Sequence, residues 1–171
     1  LTGGLFQIVE DVDATVNVQG DLLLSGSAAL EFSAISATAN LNLVGNFSFT
    51  GGADMNVTSA PTGAGNINFV GTGTTQTVTS TLTPLGSVNY NISTLAGVSS
   101  PGTNFLGGTG DFTVSGTLQV GSTDVNGAIR TGAVGGNIRL TGTRTYIAGS
   151  TIVYNGLAGQ FIGNGQPTTT G

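Results

Sequence analysis

The chain has 171 residues, 38% of them hydrophobic and only 6% charged; eight acids stand against three arginines, with no histidine or cysteine, for a formal net charge of −5. Phosphate backbones need clustered cations, so this balance argues against nucleic acid as a partner, and the absence of cysteine removes disulfides and thiolate metal sites. Disordered chains combine low hydrophobicity with high net charge, so a folded chain with a Thr, Ser, Asn and Gly surface is expected.

In chain order, the first feature is the acidic stretch "EDVD", holding Glu10, Asp11 and Asp13. Two carboxylates, Asp11 and Asp13, on one strand face could hold Ca²⁺ together with carbonyls or water; the plainer reading is a solvated terminal strand. Apolar residues then alternate with polar ones in short runs: Val16 and Val18, Leu22 and Leu24, Leu41 and Leu43, Phe47 and Phe49. Further runs centre on Ile67, Tyr90, Phe112 with Val114, Leu118 with Val120, Ile138 with Leu140, and Val153. A period of two predicts strands with one buried face. Clusters such as "SAPTGAG" and "SSPGTN" supply turn chemistry between them, and Asp21, Asp54, Asp111 and Asp124 read as turn residues. No stretch carries a capped 3.6-residue period, and no apolar run approaches the roughly 18 to 20 residues of a membrane-spanning helix.

Three pairs of stretches resemble each other in the same order: residues 15–26 with 111–122, 40–53 with 137–150, and 67–78 with 152–162, the last matching Gln76 to Gln160. The chain therefore reads as a single segment, 1–171, of two degenerate modules, roughly 1–97 and 98–171, the second truncated. Its start at Leu1 suggests a processed or excised product. Within each module the alternations recur about every 22 to 24 residues, the beat of an all-β parallel β-helix, or β-solenoid; β-sandwich repeats are the alternative. About seven coils at roughly 4.8 Å would make a rod about 35 Å long. Uncharged rungs suit such stacking, because a charged one would repel its own copy.

For chemistry, the chain lacks the commonest general bases and nucleophile partners, so no enzyme and no cofactor are expected. In "TTQTVTSTLT", Thr75, Thr77, Thr79, Thr81 and Thr83 alternate and would place five hydroxyls on one face. Such an array could order water, as on an ice-binding surface, or it reflects Thr as a good strand former. Thr141, Thr143 and Thr145 also alternate, with Asn137 and Arg139 expected on their face. Most aromatics occupy alternating positions and are expected in the core, with Tyr146 and Tyr154 the candidates for an exposed carbohydrate platform. Asn46, Asn56 and Asn91 open N-glycosylation acceptor triplets.

The segments "GNIRLTGTRTYIAGSTIVYNGLAGQFIG" and "GDFTVSGTLQVGS" resemble the repeats of very large secreted surface proteins of Bacteroidota-type bacteria, which are similar to gliding and adhesion filaments exported by the type IX system. In those repeats a "YNG…Q" stretch precedes a "VNLTI"-like strand; here "VNYNIS" follows "VGTGTTQTV". Filamentous haemagglutinin-like adhesins share the style. The resemblance covers most of 110–171 and, more loosely, 14–93. It implies an extracellular, cell-surface spacer, fibre or attachment element with no active site to carry over. The partners it implies are further repeats or identical subunits end to end, and surface glycans or solid surfaces, without membrane insertion. An ice- or glycan-binding solenoid and a self-assembling β-sandwich fibre subunit are the other readings.

Overall fold

A computed structural model describes residues 1–8, 12–32, 37–57 and 64–166. Among these residues there is no helix, and the seventeen strands are β1 (Gly3–Gln7), β2 (Ala14–Val18), β3 (Leu22–Leu24), β4 (Ser27–Glu31), β5 (Thr38–Leu43), β6 (Phe47–Phe49), β7 (Asp54–Asn56), β8 (Ala64–Phe69), β9 (Thr75–Ser80), β10 (Val88–Ile92), β11 (Gly97–Ser100), β12 (Leu106–Gly108), β13 (Phe112–Val114), β14 (Thr117–Val120), β15 (Ile138–Leu140), β16 (Arg144–Tyr146) and β17 (Thr151–Tyr154). They form a first sheet in the order β2-β5-β8-β10-β13-β16, a second in the order β3-β6-β9-β11-β14-β17, and two smaller sheets, β1-β4-β7 and β12-β15.

Every pairing between named strands is parallel. Among the described residues the one antiparallel contact is an isolated bridge between Thr72 and Ala96. The antiparallel layers of a β-sandwich are therefore not what the chain adopts; it is built of parallel sheets of stacked strands. In the first sheet Ala14 pairs with Ala39, Thr38 with Ala64, Gly65 with Val88 and Tyr90 with Phe112, advances of 25, 26, 23 and 22 residues. The next advance, from Phe112 to Arg144, is 32 residues.

Alternation within each strand turns one set of side chains inward. Along the first sheet an inward column runs Val16, Leu41, Ile67, Tyr90, Phe112, and its neighbour runs Val18, Leu43, Phe69, Ile92, Val114. Phe47 of the second sheet crosses the interior to meet Phe69 and Tyr90 of the first edge-on, with centroids 6.3 and 6.5 Å away. Burying each such ring contributes roughly 2 to 3 kcal/mol. The alternating pairs predicted at Val16 to Leu24, Leu41 to Phe49, Phe112 to Val120 and Ile138 to Leu140 all fall on strands. Strands without such a signal include β4 (SAALE), β7 (DMN) and β12 (LGG) of the smaller sheets and β11 (GVSS) of the second sheet, where small or polar residues dominate.

The smaller sheet at the C-terminal side holds a rung out of sequence order. The segment around Ile129 bridges in parallel to Ile138, on β15, and the Ala128 and Ile129 amides donate onward to the carbonyls of Phe161 and Ile162. Residues 121–137 thus carry the chain one rung ahead before it returns to β15.

Candidate functional site

The outward face of the first sheet is built from three triplets, Asn40-Leu41-Asn42, Asn66-Ile67-Asn68 and Asn89-Tyr90-Asn91. Parallel register without offset sets like on like, and each amide donates to the one on the preceding rung. Asn42 Nδ2 reaches Asn17 Oδ1 at 2.9 Å, Asn68 reaches Asn42 at 2.9 Å and Asn91 reaches Asn68 at 2.8 Å. In the neighbouring column Asn66 donates to Asn40 and Asn89 to Asn66, each at 2.9 Å. The column then changes chemistry: Asn89 Oδ1 accepts the Asp111 amide at 2.8 Å, and Asp111 Oδ1 accepts the Thr143 amide at 2.7 Å. Asn carries both a donor and an acceptor, so an Asn column satisfies itself rung after rung.

Inside, amide side chains plug gaps where the chain leaves a strand. Gln76, 2% exposed, donates through Nε2 to the carbonyls of Leu43 and Gly45 at 2.9 and 2.6 Å and accepts the Gly71 amide at 2.9 Å. Gln160 repeats the arrangement, donating to Val120 and Ser122 carbonyls at 3.0 Å and accepting the Gly156 amide. The glycine is required in both: a Cβ on Gly71 or Gly156 would lie 2.9 or 2.6 Å from the glutamine's Cδ. Asn137 does the same work, donating to Gly102 and Asn104 carbonyls and accepting the Ser122 amide. The expectation that Asn137 shares an outer face with Thr141, Thr143 and Thr145 is therefore corrected: its side chain is fully buried, because an amide can close three backbone bonds there that water cannot reach.

The threonine array lies on β9 and the segment after it, with Thr75, Thr79, Thr81 and Thr83 exposed and Thr77 half-buried. Its outward neighbours are not threonines: Thr75 and Thr77 adjoin Gly97 and Ser99, and Thr79 adjoins Ser48. Asp11 and Glu10 lie outside the described residues, so the Ca²⁺ reading is limited to Asp13, whose Oδ1 accepts the Thr38 amide at 2.6 Å. Asp21 likewise accepts the Asn46 amide at 2.7 Å, so both carboxylates brace the next rung. The Asn46 side chain is itself bonded to Asp21 and to the Thr77 amide.

Among the described residues the cations gather in the C-terminal third. Arg144 occupies an inward position, opposite Phe112, and donates to the carbonyls of Arg130 and Leu140; burial lowers its pKa. Arg130 donates to the Val134 carbonyl at 2.6 Å. Arg139 stands apart. Its guanidinium lies 3.9 Å above the Phe105 ring, its Nε donates to the Gly136 carbonyl at 2.8 Å, and it faces a cleft of about 560 Å³. Burial pulls its pKa below the usual guanidinium value, and the charge of Asp124 pulls it back. The Phe105 ring can lie there because its β12 neighbour is Gly107, where a Cβ would come within 2.9 Å of the ring.

The chain matches no protein-family model, no curated protein and no solved structure. Its site has therefore to be read from its own geometry. Tyr146 and Tyr154, the candidates for an exposed platform, are half-buried, and their hydroxyls are engaged: Tyr146 donates to the Gly165 carbonyl at 3.0 Å and Tyr154 to Gln166 Oε1 at 2.7 Å. Burial pushes both phenols up to about 12. The Asn columns, the amide plugs and the Arg139 cleft were not anticipated. The first had a visible signal, the Asn-apolar-Asn triplet recurring three times at rung spacing, and the second had one in the shared Gly…Gln pattern.

Proposed function

We propose that the chain is a β-solenoid section of a secreted cell-surface filament or adhesin, serving as a rigid, non-catalytic spacer. The observation that carries this reading is the pair of Asn columns on the first sheet. Their side chains are spent on holding each rung to the next, as are the interior plugs Gln76 and Gln160. Net stabilisation of roughly 1 kcal/mol per hydrogen bond, repeated rung after rung, stiffens the long axis. A surface poor in charge lets the pattern continue with little self-repulsion. The partners of such a segment are further rungs: among the described residues β1 and β2 are each paired along one edge only, and Leu5 and Phe6 of β1 are exposed. An open edge of this kind accepts another parallel strand, from the same chain or from a second copy.

The test is location and shape together. Antibodies raised against this segment should label intact cells along surface filaments, and oriented filaments should diffract at about 4.8 Å along their axis. Labelling that appears only after lysis would overturn the proposal.

A further inference from the structure

The cleft beside Arg139 has an unusual construction. It is floored by the turns that follow three successive strands of the second sheet: Pro101–Thr103 after β11, Gly121–Asp124 after β14 and Asn155–Leu157 after β17. Glycines at 102, 121 and 156 keep these turns free of side chains where they meet. A Cβ on Gly102 would have no neighbour within 4 Å, so the space above it is open. Its volume of about 560 Å³ lies in the range of small-ligand sites.

Its polar groups differ from those elsewhere on the surface. Arg130 and Arg144 spend terminal guanidinium nitrogens on backbone carbonyls, whereas Arg139 bonds through Nε alone. Held over Phe105, Arg139 keeps its two terminal nitrogens for whatever occupies the cleft, in the fork that matches a carboxylate. The acid nearby, Asp124, also lines the cleft, and its Oδ1 accepts the amide and side chain of Asn126 at 2.8 and 3.2 Å. The Asn126 amide is also the main cause that holds the Asp124 carboxyl below its usual range. Exposed hydroxyls of Thr103 and Thr123 and the Asn155 Oδ1, whose own amide nitrogen is held by Gln119 at 3.0 Å, complete the wall. The guanidinium, with hydroxyls, an amide oxygen and the Asp124 carboxylate around it, suits a ligand that offers a carboxylate to the cation and hydroxyls to the other groups.

We propose that this cleft binds an acidic saccharide, its carboxylate on the Arg139 fork and its hydroxyls on Thr103, Thr123 and Asn155, with Leu157 and Pro101 against its apolar face. The site deepens the surface-filament reading by naming what such a filament would hold, and it rests on that reading only for its biological setting. The probe is tri-galacturonate, titrated calorimetrically against the folded chain, beside its methyl ester and acetate. Tri-galacturonate should bind; the ester should bind at least tenfold more weakly, and acetate should not compete at equal concentration. Arg139→Gln should weaken tri-galacturonate at least tenfold, and added salt should weaken the wild-type complex. Thr103→Trp, an exposed change on the rim, should abolish binding by filling the cleft and serves should Arg139→Gln melt early. Equal affinity for acid and ester, full competition by acetate, or no binding of tri-galacturonate by the wild-type chain would each overturn the proposal, as would wild-type affinity in either variant. None of these outcomes bears on filament labelling of intact cells, so the two proposals fail separately.

Discussion

Between β2 and β13 the first sheet advances by 22 to 26 residues per rung, and beyond β13 by 32. From β2 to β10 near-equal spacing brings similar side chains onto one another, so Asn meets Asn and Leu meets Ile. From β13 on, the column residues are Asp111, Thr113 and Thr145, an arginine turns inward, and residues 121–137 form an out-of-order rung and a wall of the cleft. Regular spacing makes a self-satisfying surface, whereas inserted residues make concavity and charge. Repetition and recognition thus sit in different parts of one stack.

The amide plug occurs in both regions and offers the largest contrast. Gln76→Ala strands one amide and two carbonyls in the buried region, and should lower stability by about 2 to 4 kcal/mol. Gln160→Ala removes the same bonds from a half-buried site where water can replace them, and should cost about half as much. Urea unfolding of the two variants reads the difference; equal losses would show that burial does not set the worth of the plug. A smaller effect is expected on the outer face. Asn68→Ala breaks a column at a rung bonded both above and below and should cost about 1 kcal/mol. Thr113→Ala, farther along the same column, should fall within about 0.5 kcal/mol of wild type. A Thr113 variant as damaging as the Asn68 one would erase the distinction between the two regions.

The smallest effect is confined to the C-terminal end. Tyr146 and Tyr154 have folded pKa values raised to about 12 from 10.0, so the folded state holds their protons more tightly. Their contribution is fully present below pH 10.0 and is lost as pH rises through about 12. Phenolate absorbance should therefore rise late, and the melting temperature should fall across that window. Replacing both tyrosines by phenylalanine should flatten that fall, and an unchanged alkaline decline would refute the assignment.

Much of the fold was legible. Apolar alternation marked strands at Val16 to Leu24, Leu41 to Phe49, Phe112 to Val120 and Ile138 to Leu140 because period two survives wherever one face is buried. The strands β4, β7 and β12 were silent because Ala, Gly and Met carry little alternation. Similar stretches did not always foretell equivalent places: residues 15–26 and 111–122 both pass from the first sheet to the second, whereas 40–53 carry β5 of the first sheet and β6 of the second, and 137–150 carry β15 of a smaller sheet and β16 of the first. Strand, turn and strand look alike in sequence whichever sheet receives them. At the candidate site, the threonine positions were readable, since outward-facing residues follow from alternation alone. The Arg139 stack on Phe105 was not, because thirty-four positions separate them and only the folded chain brings β15 beside Gly107.

Sequence alone determined that this chain is all-β, poor in charge and organised by a recurring beat, since those properties depend on residue type and local period. Only the tertiary structure decided that the strands pair in parallel, that Asn stacks on Asn, that Asn137 points inward and that Arg139 lies over Phe105 beside a cleft. Register and through-space contact depend on which distant segments meet, and the order of residues along the chain does not encode that locally.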